Sequence, residues 1–121
     1  MSIVSKTRSL GNAGEVAVAL HLMRQGFTIL ARNYAVRGGE IDIIASNKEL
    51  VVFVEVKTRT HQFFALSEVV TPSKQKKIIF AARHYLMRCP QPNKVYRFDV
   101  ALVQGANQEI TYLPHAFTLC E

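Results

Sequence analysis

The chain has 121 residues, of which 49% are hydrophobic, so it is long enough for one compact domain and too short for two. Its net charge of +6 favours an anionic partner, either nucleic acid or an acidic membrane surface. The longest uncharged apolar run, residues 16–20, is far below the roughly 20 residues of a membrane span, and no signal peptide precedes it. These properties exclude a membrane-spanning helix and predict one cytoplasmic domain over residues 1–121.

Cysteine and histidine give no sign of a zinc site. Cys89 and Cys120 are far apart in the chain and lack CxxC spacing, which is typical of reduced thiols in a cytoplasmic protein. The four histidines show no ligand spacing either. Any metal chemistry must therefore come from carboxylates.

The first half of the chain is predicted to hold one helix and three strands. The helix covers Gly14–Gln25 and ends at Gly26, and its residues 16–20 are apolar nearly all round, which predicts packing on more than one side. Three strands follow, separated by turns at residues 37–39 and 47–49. They are predicted over Phe27–Asn33, Glu40–Ser46 and Leu50–Thr58.

The second half continues with an irregular segment, a helix and two strands. Residues 60–70 show no regular pattern, and Thr71 and Pro72 are then typical of the N-cap and first position of a helix that runs to about Arg88. The residues that this helix would bury are Ile78, Ala81, Ala82, Tyr85 and Leu86. Strands over residues 95–103 and 110–113 complete an α-β-β-β-α-β-β order, which predicts an α/β fold with a mixed central sheet flanked by helices.

The two strongest strands are predicted to pair as a hairpin that gathers charge on one face. A turn centred on residues 48 and 49 puts Asp42 opposite Glu55, and it puts Glu40 opposite Lys57. The other face would be apolar throughout: Ile41, Ile43, Ala45, Val52, Val54 and Val56. A slip of one residue would mix the two faces, so the pattern favours this register.

This charged face predicts a divalent-metal site. Two neighbouring carboxylates, Asp42 and Glu55, repel each other unless a cation lies between them, and oxygen ligands suit Mg²⁺ or Mn²⁺. The backbone carbonyl of Val56 would be a further ligand, and Lys57 would orient water or stabilise charge on a phosphate. The alternative is a hairpin with ordinary cross-strand ion pairs such as Glu40 with Lys57, and the spacing alone leaves both interpretations open.

Motifs along nearly the whole chain resemble one bacterial family. They are Gly11–Glu15, Gly39–Ile44, Val52–Arg59, Lys74, Tyr85–Leu86 and Arg97–Val100. In order and spacing they resemble the YraN-like family of uncharacterised bacterial proteins. The chain also resembles the PD-(D/E)XK nuclease superfamily, and the YraN-like family is similar to archaeal Holliday-junction resolvases. Two departures are Ile41, where the superfamily's name has proline, and Ala65, where relatives often carry glycine.

The resemblance implies a restriction-endonuclease-like core and a site made of four residues. Asp42 and Glu55 would be metal ligands and Lys57 the catalytic lysine. Glu15 would bind the metal through water or orient the lysine. Glu15 by itself also fits a helix start, where the helix dipole favours acids.

Basic residues near this site predict phosphate binding. Cations in the first turns of a helix oppose its dipole, so Lys74, Lys76 and Lys77 suggest a use other than stability. We expect Arg59, Lys74 and Lys77 to hold phosphates beside the metal, although an ordinary solvated helix face is the alternative. No motif for base-specific reading is present, which favours recognition of backbone shape.

The leading function from sequence is a Mg²⁺- or Mn²⁺-dependent endonuclease that acts on DNA, with branched or recombination structures as expected substrates. The alternative is a non-catalytic nucleic-acid-binding or scaffold protein that keeps the nuclease fold. An RNA-directed nuclease is a third interpretation. By analogy with resolvases, which cut two strands symmetrically, a homodimer is expected.

Overall fold

A computed structural model of the chain describes residues 6–59 and 70–118, with side chains from residue 13 onward. In chain order its elements are α1 Lys6–Arg24, β1 Thr28–Val36, β2 Gly39–Ser46, β3 Leu50–Arg59, α2 Pro72–Arg88, β4 Val95–Gln104 and β5 Glu109–Phe117. The predicted order of elements and the α/β class are confirmed. The arrangement is consistent with a nuclease-like α/β core.

The five strands form one mixed sheet in which sequence order is also spatial order, β1 to β5. Neighbours are antiparallel except β3 and β4, which run parallel from the pair Leu50–Val95 to the pair Arg59–Gln104. Parallel neighbours need a long crossover, and α2 lies in that connection. Strand β3, which carries Glu55 and Lys57, is therefore the central strand of the sheet.

Helix α1 covers one face of the sheet. Val18 and Leu22 are buried against sheet residues that include Val54 and Val103. Gly26, with a φ of 92°, follows the end of the helix, as the sequence predicts. The helix begins at Lys6, earlier than the predicted Gly14.

The prediction that α1 packs on more than one side is wrong. Val16, Leu20 and Met23 are between 42% and 48% exposed, so an apolar stripe of α1 faces away from the sheet. Among the described residues, one helix packs on each face of the sheet. No other helix or strand of that part of the chain packs on the outer side of α1, so the apolar stripe is uncovered there.

Helix α2 covers the opposite face, and its start is the predicted one. The hydroxyl of Thr71 accepts a hydrogen bond from the backbone N–H of Lys74 at 3.2 Å, and Pro72 is the first helical residue. The buried residues are Ile78, Ala81, Ala82 and Tyr85. These four are as predicted, whereas Leu86, also predicted to be buried, is only partly so.

The predicted hairpin register is confirmed where the two strands pair and fails beyond that point. Observed pairs run from Ser46–Val51 to Ile43–Val54. Pairing ends there, so Asp42 and Glu55 are not ladder partners, and Glu40 pairs with β1 instead of lying opposite Lys57.

The physical reason for this failure is a separation of β2 from β3 at Asp42. The side chain of Asp42 accepts the backbone N–H of Val56 at 2.8 Å. Strand β2 also changes its facing here, because Ile41 packs on the α2 side while Ile43 packs on the α1 side. The predicted apolar face that joined Ile41 to Ile43 is therefore wrong.

Some predictions fall on parts of the chain outside the described residues. These are the irregular segment, apart from the buried Val70, together with Ala65 and Cys120. Within residues 6–59 and 70–118, no helix is long and apolar enough to cross a membrane.

Candidate active site

Asp42 lies in the gap where β2 and β3 separate. Its carboxylate accepts one hydrogen bond, from the backbone N–H of Val56. Burial raises the pKa of Asp42 to about 8, and the nearby charge of Glu55 contributes to this rise, while the bond from Val56 acts in the opposite direction. Glu15 and Glu40 add smaller effects that also raise this pKa. Asp42 is thus a half-buried acid with other acids around it, an arrangement that favours either a proton or an added cation.

Glu55 lies on the central strand β3, near Asp42 of β2, and its side chain faces α2. Its side chain is only 10% exposed, and its Oε2 accepts a hydrogen bond from the Nζ of Lys74 at 2.8 Å. Lys74 is in the first turn of α2. The acid that the sequence assigns to metal binding is therefore neutralised by a lysine that the sequence assigns to phosphate binding.

Lys57 follows Glu55 by two residues and, by strand alternation, lies on the same face of β3. It is half-buried and makes no ion pair with any residue in the described part of the chain. Glu40, its predicted cross-strand partner, lies opposite Ala35 of β1. The alternative of an ordinary Glu40–Lys57 ion pair is therefore wrong, and Lys57 has no ion-pair partner among the described residues.

Glu15 approaches from the α1 side of the sheet. A methyl group on the preceding Gly14 would overlap the Thr58 hydroxyl, so glycine is what allows α1 to come this close to β3. The Glu15 carboxylate lies 3.4 Å from the Nη2 of Arg32 on β1. Sequence reasoning missed Arg32. The available signal was a single charged residue within the mainly apolar segment Thr28–Val36.

A cavity of about 530 Å³ opens beside Glu55, between α2 and the β1–β2 turn. Its polar lining comes from Glu40, Glu55, Lys74 and Lys77. The turn approaches α2 so closely that a methyl group on Gly39 would overlap the backbone carbonyl of Lys77. Contact between two pieces of backbone therefore sets the width of this cavity.

The three residues predicted to bind phosphate lie in different surroundings. Lys77 is exposed and lines the cavity, one turn of helix after Lys74. Lys74 lines the same cavity but is held by Glu55. Arg59 is exposed at the end of β3, two residues after Lys57. The structure thus brings Lys74 and Lys77 together and sets Arg59 at the strand end.

A second cavity of about 510 Å³ lies elsewhere against α2. Its lining is mainly apolar and aromatic, with Arg83 and Arg97 as its charged members, and no carboxylate lines it among the described residues. It lacks the acids that metal or general acid–base chemistry would need. We therefore assign the candidate site to the cavity beside Glu55.

The donor set fits an ion that keeps most of its water. In residues 6–59 and 70–118, no three side chains of His, Cys, Asp or Glu are grouped closely enough to hold a metal ion. Mg²⁺ binds through one or two carboxylates and retains several waters. Asp42, Glu55 and the carbonyl of Val56 match that requirement in chemical type. They do not match the requirement of Zn²⁺ for a closed set of four protein ligands.

Comparison with known proteins shows that residues 14–103 match a family described as "Uncharacterised protein family UPF0102". A UPF0102 protein of Nitrosomonas eutropha is 42% identical over 115 residues, which is 94% of this chain and 97% of the relative. A UPF0102 protein of Saccharophagus degradans is 41% identical over 98% of this chain and 100% of its own. A UPF0102 protein of Vibrio parahaemolyticus is 37% identical over 98% of each. The matched segment contains Glu15, Asp42, Glu55 and Lys57.

Proposed function

This chain belongs to the uncharacterised family UPF0102, and because that family name assigns no activity, we propose from the site itself that the protein is a metal-dependent endonuclease. It would hydrolyse phosphodiester bonds of DNA with Mg²⁺ or Mn²⁺ bound. Branched and recombination structures are the proposed substrates, on the resemblance to resolvases.

One observation carries the proposal: a half-buried acid with other acids around it, beside a strand that also carries a lysine outside every described ion pair. The pKa of Asp42 is raised to about 8 by burial and by Glu55, so this pair of carboxylates favours a cation. Lys57 follows Glu55 on the same strand face and makes no ion pair with a described residue.

Asp42, Glu55 and the Val56 carbonyl would hold the divalent ion, with Glu15 reached through water. When bound, such an ion polarises a phosphate and lowers the pKa of its own water. The chain's residues supply the remaining functions. Lys57 stabilises negative charge that develops on the phosphate, and the Val56 N–H holds the Asp42 carboxylate in position.

The basic residues support an anionic polymer as substrate. The net charge is +6, and Lys77 is exposed at the wall of the cavity next to Glu55. Lys74, Lys77 and Arg59 would contact phosphates, so binding would weaken steeply as salt rises. We propose DNA ahead of RNA on the resemblance, and a competition assay with equal lengths of both distinguishes them.

A second candidate is a nucleic-acid-binding protein without catalysis. Two observations favour it: Glu55 already has a cation in Lys74, and no compact three-ligand group occurs among the described residues. Such a protein would bind branched DNA equally well with or without divalent ions. It would also tolerate loss of Lys57 without change in affinity.

We also propose that the protein acts as a homodimer, because two-strand cleavage needs two sites. The exposed stripe of Val16, Leu20 and Met23 on α1 is an apolar surface to test. Light scattering should give a dimer mass that Leu20→Lys reduces to that of a monomer. A monomer at all assay concentrations for the unmodified chain contradicts this part.

Cleavage of labelled DNA tests the main proposal. Four-way-junction, flap, single-stranded and linear duplex DNA are incubated with Mg²⁺, Mn²⁺ or EDTA, using wild type, Glu55→Ala and Lys57→Ala. Lys48→Ala, in the exposed β2–β3 turn, is the matched control. We expect metal-dependent cleavage that the Glu55 and Lys57 variants abolish and the Lys48 variant keeps. Binding without cleavage in every condition supports the non-catalytic alternative.

A further inference from the structure

Lys74 and Glu55 form an ion pair that differs from an ordinary surface pair. The ammonium lies 2.8 Å from the carboxylate, and the Glu55 side chain is only 10% exposed while that of Lys74 is 43% exposed. The backbone of Lys74 is fixed, because its N–H is bonded to the cap hydroxyl of Thr71. The acid is thus buried, whereas the cation sits at the end of a flexible stem in an open cavity.

The placement of Lys74 is unfavourable except for this contact. It lies in the first turn of α2, where the helix dipole opposes a positive charge, and no acid is present in that turn. A buried carboxylate, in turn, needs a counter-charge. Glu55 and Lys74 each supply what the other lacks, so the pair explains why a lysine occurs at this position.

We propose that Lys74 is a built-in counterion that competes with a divalent cation for Glu55. This inference rests on the proposed function and describes how the same site is regulated. Lys74 keeps Glu55 neutralised while no divalent ion is bound, and it is displaced when one binds. The released ammonium then lies in the cavity, where a phosphate of the substrate is its natural partner. Binding of metal and binding of nucleic acid are coupled in this way.

Lys77 provides an internal control for this proposal. It lines the same cavity one helical turn later and carries the same charge, but it makes no ion pair with a described residue. Removing either lysine changes the net charge of the protein equally. Only removal of Lys74 leaves Glu55 without its ion-pair partner. A difference in metal affinity between the two variants therefore reports the Lys74–Glu55 contact and not the change in net charge.

Calorimetric titration with Mn²⁺ of the full chain, without nucleic acid, tests the proposal. Lys74→Gln should tighten Mn²⁺ binding about fivefold, the amount that a pair worth about 1 kcal/mol would contribute. Lys77→Gln and Lys74→Arg should bind as wild type does, and Glu55→Gln should bind far more weakly. A thermal melt of each variant establishes that it is folded.

Two results overturn the proposal, and they can be told apart. If Lys74→Gln binds Mn²⁺ no more tightly than wild type while Glu55→Gln binds weakly, the counterion role is wrong and the proposed metal site stands. If Glu55→Gln leaves Mn²⁺ binding unchanged, the metal site itself is wrong, and the counterion role falls with it. Equal tightening in Lys74→Gln and Lys77→Gln would assign the effect to net charge and would also overturn the proposal.

Discussion

Two aspartates of the same sheet, Asp99 fully buried and Asp42 half-buried, have opposite surroundings. Asp99 of β4 is 0% exposed and accepts bonds from the guanidinium of Arg97 at both oxygens, from the hydroxyl of Tyr112, and from the backbone N–H of His115. Asp42 of β2 accepts one backbone N–H and otherwise faces acids. The first carboxylate is fully satisfied inside the chain, whereas the second is not.

Under the proposed function, this difference separates a structural acid, Asp99, from a metal-binding one, Asp42. Burial and the bond to Asp99 raise the pKa of Tyr112, and the same carboxylate raises the pKa of Arg97, so both partners keep their protons. Nothing in that network calls for a ligand. These contacts give Asp99 a structural role. Asp42, by contrast, is stabilised by something the described chain does not provide, a proton or a cation.

The largest expected effect is loss of the Asp99 carboxylate. Asp99→Ala leaves Arg97 and the Tyr112 hydroxyl without their acceptor, so it should lower the free energy of unfolding by about 3–5 kcal/mol. Urea denaturation measures this. If that variant does not fold, Tyr112→Phe removes a single bond and should cost about 1–2 kcal/mol. Wild-type stability in both variants would contradict the structural role.

The next effect concerns the wall of the cavity beside Glu55. There the backbone of Gly39 packs directly on the backbone of Lys77, whereas Asp99 is held by side-chain hydrogen bonds. Gly39→Ala forces a methyl group against the Lys77 carbonyl and should cost about 1–3 kcal/mol in urea denaturation. Gly26→Ala is the control, because that position has a positive φ but open space around it. If the control costs more than Gly39→Ala, backbone strain and not the close approach governs these glycines.

A smaller effect distinguishes the two aspartates by pH. The pKa of Asp42 is raised from 3.8 to about 8, so between these values the folded protein holds a proton that the unfolded chain does not. Stability from this group is therefore present below about pH 4 and is lost as the pH rises towards 8.

Asp42→Asn keeps the acceptor for the Val56 N–H and removes the ionisation. It should match wild type in thermal stability near pH 4 and exceed it at pH 8 by about 1 kcal/mol or more. Asp99→Asn should lower stability at both pH values. A wild-type minus Asp42→Asn difference that does not change with pH would contradict the raised pKa.

The smallest effect is expected at the Glu15–Arg32 pair. The two groups lie 3.4 Å apart and Arg32 is 34% exposed, so Arg32→Gln should change stability by less than about 1 kcal/mol. Arg97→Gln, which breaks the Asp99 network, should cost clearly more. Urea denaturation at low and at high salt measures both losses of stability. Equal losses in the two variants would contradict the distinction between the exposed Glu15–Arg32 pair and the buried Asp99 network.

The sequence predicts most of the fold because the signals for it are local. The cap at Thr71 and Pro72, the glycine after α1 and the period-2 pattern of residues 43–46 and 51–54 all act within a few residues. The separation of β2 from β3 was missed for the opposite reason. A parity argument assumes that pairing continues, whereas here the Asp42 side chain takes the place of a backbone partner.

The candidate site was predictable in its strand residues and not in their partners. Strand alternation predicts that Glu55 and Lys57 share one face of β3, and Asp42 lies near Glu55 although the two are not ladder partners. The contacts of Lys74 with Glu55 and of Arg32 with Glu15 join residues 19 and 17 positions apart through the packing of helices on the sheet. Sequence patterns within a few residues do not show which side chains of a helix meet which side chains of a strand. Lys74 was therefore predicted only as a phosphate ligand, and Arg32 was not predicted at all.

The parallel pairing of β3 with β4 has a consequence for the order in which the protein is made. Every candidate site residue precedes residue 78, yet all ten residues of β3 pair with β4, which begins at Val95. Contacts so distant in sequence form late in folding. A chain still emerging from the ribosome would therefore carry all of its candidate site residues without the strand that holds them in place. Under the proposed function, DNA near the growing chain would not be cut by it until synthesis is nearly complete.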